Sequence, residues 1–137
     1  MEGYLEGSIS HWNTGAGGAH LCITREGLVV LTCELHNIPW HAGTSWSNGR
    51  TDFWRQNNIN PFSIGIELEG FFTAPYTQQQ IEACVRVGKY LKREFGIASR
   101  RTWDQIPGHH LHSELSSDRS DPGPHFNLEA ILRDIDR

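Results

Sequence analysis

The sequence predicts an α/β fold in a single domain: a central mixed β-sheet flanked by helices. Three observations carry that expectation. A Val- and Leu-rich run, Leu28 to Leu35, follows the apolar stretch Ala19 to Thr24 across Arg25-Glu26-Gly27, a hairpin pattern. Residues Phe62 to Glu69 alternate apolar and polar, the period of a strand. Apolar residues after Thr77 recur at helical spacing. A hairpin and a helix-linked strand in one sheet make it mixed.

At 137 residues, 37% of them hydrophobic, the chain suits one compact domain over 1–137 that needs no disulfide staples, and no second domain fits. The formal charge of -4 and the lack of a Lys/Arg-rich run argue against nucleic-acid partners. No apolar segment is long enough for a bilayer, and Met1 to Glu6 has neither a basic start nor an apolar stretch, so the expectation is a soluble, monomeric chain made in the cytoplasm without a signal peptide. Cys22, Cys33 and Cys84 show no Cys-x-x-Cys spacing and are read as buried free thiols, with a Cys22–Cys33 bridge as the lesser alternative.

In chain order, Ser8 to His11 reads as a short β-rich run stopped by a glycine cluster. The hairpin follows and ends near Asn37-Ile38-Pro39. Thr44 to Pro61 has no sustained period and reads as a long surface loop with one short helix around Asp52 to Gln56. The next strand puts Phe62, Ile64, Ile66 and Leu68 on a core face and Ser63, Gly65, Glu67 and Glu69 on a polar one. Thr77-Gln78-Gln79-Gln80 is a capping-box pattern for a helix with apolar positions Ile81, Cys84, Val85, Gly88, Leu91 and Phe95, stopped by Gly96. A short extended piece near Ile106 precedes Gly108, and Asn127 caps a last helix bearing Leu128, Ile131, Leu132 and Ile135.

Several residues have the chemistry of a metal hydrolase. Two imidazoles and a carboxylate are an established catalytic zinc set with a position left for water, and His11, His109 and Asp121 fit it. Glu67, an ionisable group on a strand otherwise committed to the core, is the natural proton shuttle. Arg119, two residues before Asp121, can support an oxyanion. Each has a plain alternative. His11 suits a solvated turn, His110 and His112 compete with His109, Asp121 before Pro122-Gly123 suits the first position of a turn, and Glu67 suits a surface charge.

A resemblance adds to this reading. Ile9-Ser10-His11, Gly18-Ala19-His20-Leu21, Trp40-His41-Ala42-Gly43, Ser63-Ile64-Gly65-Ile66-Glu67, Pro75-Tyr76-Thr77-x-x-Gln80, Gly108-His109 and Asp121-Pro122-Gly123-Pro124 together resemble the zinc-dependent N-acetylmuramoyl-L-alanine amidase family. That family takes in phage amidase endolysins, cytoplasmic cell-wall recycling amidases and peptidoglycan recognition proteins.

The resemblance implies an amidase-like fold, one Zn2+, and His11, His109 and Asp121 as its ligands. It implies Glu67 as acid/base and peptidoglycan or a muropeptide as substrate. Arg119 stands where the family commonly has a lysine, and a planar fork does not replace a point charge neutrally. The segment between His11 and His20 is shorter than in many relatives. His41 is expected to border the substrate groove, with Trp46, Phe71 and Tyr76, alongside Trp54 and Phe72, as aromatic surfaces for sugar or peptide; ordinary packing is the alternative for the aromatics. His20 is expected to hold the hairpin against the site. A phage or prophage endolysin acting on the wall after release by another agent is the leading expectation. A cytosolic recycling amidase comes next, then a non-catalytic peptidoglycan receptor.

Overall fold

The computed structural model describes residues 3–15, 17–43, 59–102, 107–115 and 119–137. The sheet is built from β1 (Leu21–Ile23), β2 (Val29–Leu31) and β3 (Ile66–Leu68), in the order β2-β1-β3. β1 pairs antiparallel with β2 and parallel with β3, Cys22 standing opposite Glu67 in the parallel register. The sheet is therefore mixed, as the sequence predicts. Its central strand is buried throughout.

Helix α1 (Leu5–Trp12) replaces the short β-rich run expected at Ser8 to His11. Leu5, Ile9 and Trp12 recur at i, i+4 and i+7 and are partly buried, while Glu6, Gly7, Ser10 and His11 are exposed. Helical period outweighs the local β character of a four-residue run.

Helix α2 (Gln78–Phe95) carries the expected capping box. The Thr77 hydroxyl accepts from the Gln80 backbone N–H, and the Gln80 side chain accepts from the Thr77 N–H in return. Gly96 closes the helix in the left-handed conformation at φ 68°. The helix packs on two faces where the sequence suggested one. Ala83, Val87 and Leu91 join Leu21, Ile23 and Leu68 of the sheet in the main core. Ile81, Cys84 and Val85 pack on Leu128, Ile131, Leu132 and Ile135 of helix α3 (Leu128–Asp136), whose start Asn127 caps. Gly88 permits this crossing: a Cβ there would lie 2.2 Å from Ile135 Cδ1. Phe95 is half exposed.

The third strand is also shorter than its alternating pattern. Pro61 sits in a single 3₁₀ turn, Asn60–Phe62, which breaks the period-two run and leaves Phe62 67% exposed. Ile66 is partly exposed, so the expected core face narrows to Ile64 and Leu68. On the other face Glu69 is buried, and its two carboxylate oxygens accept from the N–H groups of Leu5 (2.9 Å) and Arg25 (2.8 Å). Thus Glu69, expected on the polar face, ties the N-terminal helix and the hairpin turn to the end of β3.

All three cysteines are free, with only Cys22 fully buried. Burial raises the thiols of Cys22 and Cys84 to about 12, so neither is a ready nucleophile at neutral pH. No helix among the described residues is long and apolar enough to cross a membrane. The helix expected at Asp52 to Gln56 and the extended piece near Ile106 lie outside the described residues.

The close α2–α3 crossing sets a test. Gly88→Val should cost about 1–3 kcal/mol through overpacking against Ile135, read as a lower midpoint in urea with an unchanged slope.

Candidate active site

A parallel pairing held by one imidazole builds the wall of the site. His20 is buried, and its Nδ1 accepts the N–H of Gly65 at 2.9 Å. Because a backbone N–H can only donate, the ring proton is on Nε2, which donates to the Asn37 carbonyl at 3.0 Å. The expected role of His20, holding the hairpin against the site, has this physical form. Next to it stands the His41 ring, 5.2 Å away between centroids.

His41 lies over Gly65 so closely that a Cβ there would fall 2.4 Å from its ring. Nδ1 of His41 donates to the Pro39 carbonyl at 3.0 Å, and Nε2 faces Ser63 Oγ at 2.7 Å. Burial, with His20 adding to it, lowers His41 to about 4 and keeps it neutral at physiological pH.

An open cavity of about 670 Å³ runs along this wall. Its lining includes His41, Ser63, Glu67, His109, His112 and Asp121. A smaller inner cavity of about 150 Å³ shares Glu67, His109, His112 and Asp121 and is floored by apolar side chains such as Cys84, Ile131 and Ile135. Glu67 comes from β3. His109 comes from an extended segment whose backbone is paired with Arg100 and Thr102. Asp121 begins the Asp-Pro-Gly-Pro turn.

Asp121 Oδ2 is 3.0 Å from His112 Nδ1. Burial pushes the Asp121 carboxyl up, but the hydrogen bond and charge of His112 outweigh it, and the net shift is downward. Burial lowers His109, reinforced by its neighbour His110. The Tyr76 hydroxyl, half-buried and near the charges of Asp121 and Glu67, is raised to about 12 and donates to the Pro122 carbonyl at 2.7 Å.

The structure therefore gathers Glu67, His109, Asp121 and His41 at one cavity. It places His11 elsewhere: on the exposed face of α1, lining neither cavity. Arg119 is exposed and also lines neither. Phe71 is 51% exposed, edge-on to Tyr4 with centroids 6.0 Å apart, away from both cavities. Tyr76 packs edge-on against Phe126 and lines the inner cavity. Trp46 and Trp54 lie outside the described residues. Ser63, Thr102, His110 and His112 are polar lining residues that had no assigned role. For Ser63 the signal was its place on the same strand face as Glu67.

Zinc fits the chemistry of these donors. Imidazole nitrogens and a carboxylate are its ordinary ligands, and Nε2 of both His109 and His112 is buried without a hydrogen-bond partner, a costly state unless something binds there. Among the described residues, no three His, Cys, Asp or Glu side chains are already gathered as a metal-binding group.

The family model for N-acetylmuramoyl-L-alanine amidase matches residues 4–124. The chain belongs to that family. It is 39% identical over 110 residues to the 1,6-anhydro-N-acetylmuramyl-L-alanine amidase AmpD of Enterobacter cloacae, covering 80% of this chain and 52% of that protein. AmpD of Haemophilus influenzae is 31% identical over 118 residues, covering 85% and 58%. The chain thus spans somewhat more than half the length of these curated relatives.

Among solved structures, a selenomethionine AmpD derivative matches with a TM-score of 0.65 at 30% identity, covering 90% of this chain and 64% of that one. The N-acetylmuramoyl-L-alanine amidase LysC from Clostridium intestinale matches with a TM-score of 0.70 at 19% identity, covering 99% and 78%, a likeness of fold.

The His41 environment predicts an acid-sensitive fold. With its folded value near 4 against about 6.5 unfolded, His41 contributes stability that is complete above pH 6.5 and lost as pH falls toward 4. Thermal unfolding with chelator present should show a midpoint falling across that window, with a shallower fall in His41→Gln.

Proposed function

We propose that the chain is a zinc-dependent N-acetylmuramoyl-L-alanine amidase that hydrolyses the amide between the lactyl group of N-acetylmuramic acid and L-alanine. The observation that carries this reading is the convergence of Glu67, His109 and Asp121 on one cavity in a chain of the amidase family. His109 and Asp121 would hold the ion. A bound zinc supplies Lewis acidity at the amide carbonyl and makes water easier to deprotonate.

Glu67 receives the attacking water's proton on its carboxylate and passes it to the alanine nitrogen as that leaves. Its place on β3, fixed by pairing with β1, holds the carboxylate still during both transfers. His41 stays neutral beside the cavity and presents no charge to repel a cation. Arg119 is the proposed support for the oxyanion, reached from its exposed position by a long side chain.

Soluble anhydro-muropeptides are the proposed substrate class, with the cytosol as the site of action. This shifts the emphasis from the endolysin favoured by size and motif alone, because the curated relatives quoted above are 1,6-anhydro-N-acetylmuramyl-L-alanine amidases at 31–39% identity. The endolysin reading keeps a likeness of fold alone, to the endolysin amidase LysCS from Clostridium intestinale at 20% identity. Release of stem peptides from soluble anhydro-muropeptides but not from intact sacculi is the expected result; the reverse preference selects the endolysin. In either assay Glu67→Gln should lower kcat by about 100-fold or more while preserving the circular dichroism spectrum. Chelation should abolish turnover, and zinc should restore it.

A further inference from the structure

The segment Pro75-Tyr76-Thr77-x-x-Gln80 has no task in the chemistry above, but its place in the fold supplies one. Thr77 caps α2, and its hydroxyl donates to the Arg25 carbonyl in the hairpin turn. Gln80, fully buried, accepts the Thr77 N–H and donates from Nε2 to the Glu69 carbonyl at 2.7 Å. The start of the helix is thus locked to the end of β3 and to the hairpin. Tyr76, one residue before the cap, shares that fixed position.

From there Tyr76 reaches the turn that carries Asp121. A carbonyl oxygen only accepts, so the Tyr76 O–H donates to the carbonyl of Pro122, the residue after Asp121, at 2.7 Å. Phe72 covers the same turn: a Cβ on Gly123, which stands at φ 86°, would lie 2.9 Å from its ring. On the other side of Asp121, Ser113 N–H donates to the Asp121 carbonyl at 3.0 Å. Ser113 belongs to the single 3₁₀ turn His112–Glu114, which buried Glu114 anchors by an ion pair with Arg101. The backbone at Asp121 is therefore held at its own carbonyl and at the next, while its carboxylate faces the cavity.

The role expected of Tyr76, an aromatic surface for sugar or peptide, needs a ring open to the groove. Its ring lines the inner cavity and not the open one, packs edge-on to Phe126 at 5.4 Å, and its hydroxyl is committed to backbone.

We propose that Tyr76 is a positioning residue: by holding the Pro122 carbonyl it sets the direction from which the Asp121 carboxylate meets the ion. Metal–ligand distances tolerate only a few tenths of an ångström, so the set of this turn bears directly on zinc affinity. The proposal rests on the zinc-amidase reading above and gives Tyr76 a task in the reaction without contact to substrate.

The test compares the full chain with Tyr76→Phe, which removes one oxygen and keeps the ring on Phe126. Zinc binding is measured after chelator treatment and without substrate; kcat and KM are measured at saturating zinc. Tyr76→Phe should bind zinc about 10-fold more weakly and show a kcat about 10-fold lower at unchanged KM. Wild-type zinc affinity and kcat with only a lower urea midpoint mark a structural bond and overturn the proposal. A raised KM at wild-type zinc affinity marks a substrate contact and overturns it too. Both outcomes leave the zinc reading standing, whereas failure of wild type itself to take up zinc overturns that reading and this proposal together.

Discussion

One buried imidazole holds the wall of this site. Strands of three residues offer too few backbone hydrogen bonds to fix a parallel pairing by themselves, and His20 supplies what is missing by bridging the Gly65 N–H and the Asn37 carbonyl. Its own backbone N–H adds a bond to the Gly65 carbonyl at 3.0 Å. With Gly65 held on both its polar groups, Glu67 two residues on is set on the same strand face. His41 then rests on Gly65, just before β3, which has no side chain to displace it.

The elements that could be read from sequence are those whose signals are local and redundant. Helix α2 has a reciprocal cap at Thr77 and Gln80, a glycine stop and eighteen residues of period, and α3 has its Asn127 cap and four regularly spaced aliphatics. Short elements were less legible. Four residues around Ser8 do not separate a helix from a strand, and alternation from Phe62 to Glu69 runs straight through a proline-set turn. The partners of Glu69 were not legible because they are backbone N–H groups from residues far away in sequence, which leave no trace in pattern.

The same distinction governs the site. That Glu67 and Asp121 line one cavity was legible, Glu67 because a carboxylate on a core strand is conspicuous and Asp121 because it opens a turn rich in proline and glycine. The histidines were not, since three within four residues share one sequence context and differ only in what they touch. His11, expected from its motif, stands on the exposed face of α1. The cavity combines a polar rim with an apolar floor, and charges there act on one another through a less screening medium than water.

Arg101 reaches beyond the histidine turn. Its guanidinium pairs with Glu114 and also lies 3.5 Å from Glu129 on α3. Helix α3 and the single 3₁₀ turn His112–Glu114 are thereby joined through one guanidinium. A fluctuation that lifts α3 from α2 also removes one of the supports of that turn, so the order of the cavity wall depends on how firmly α3 is docked.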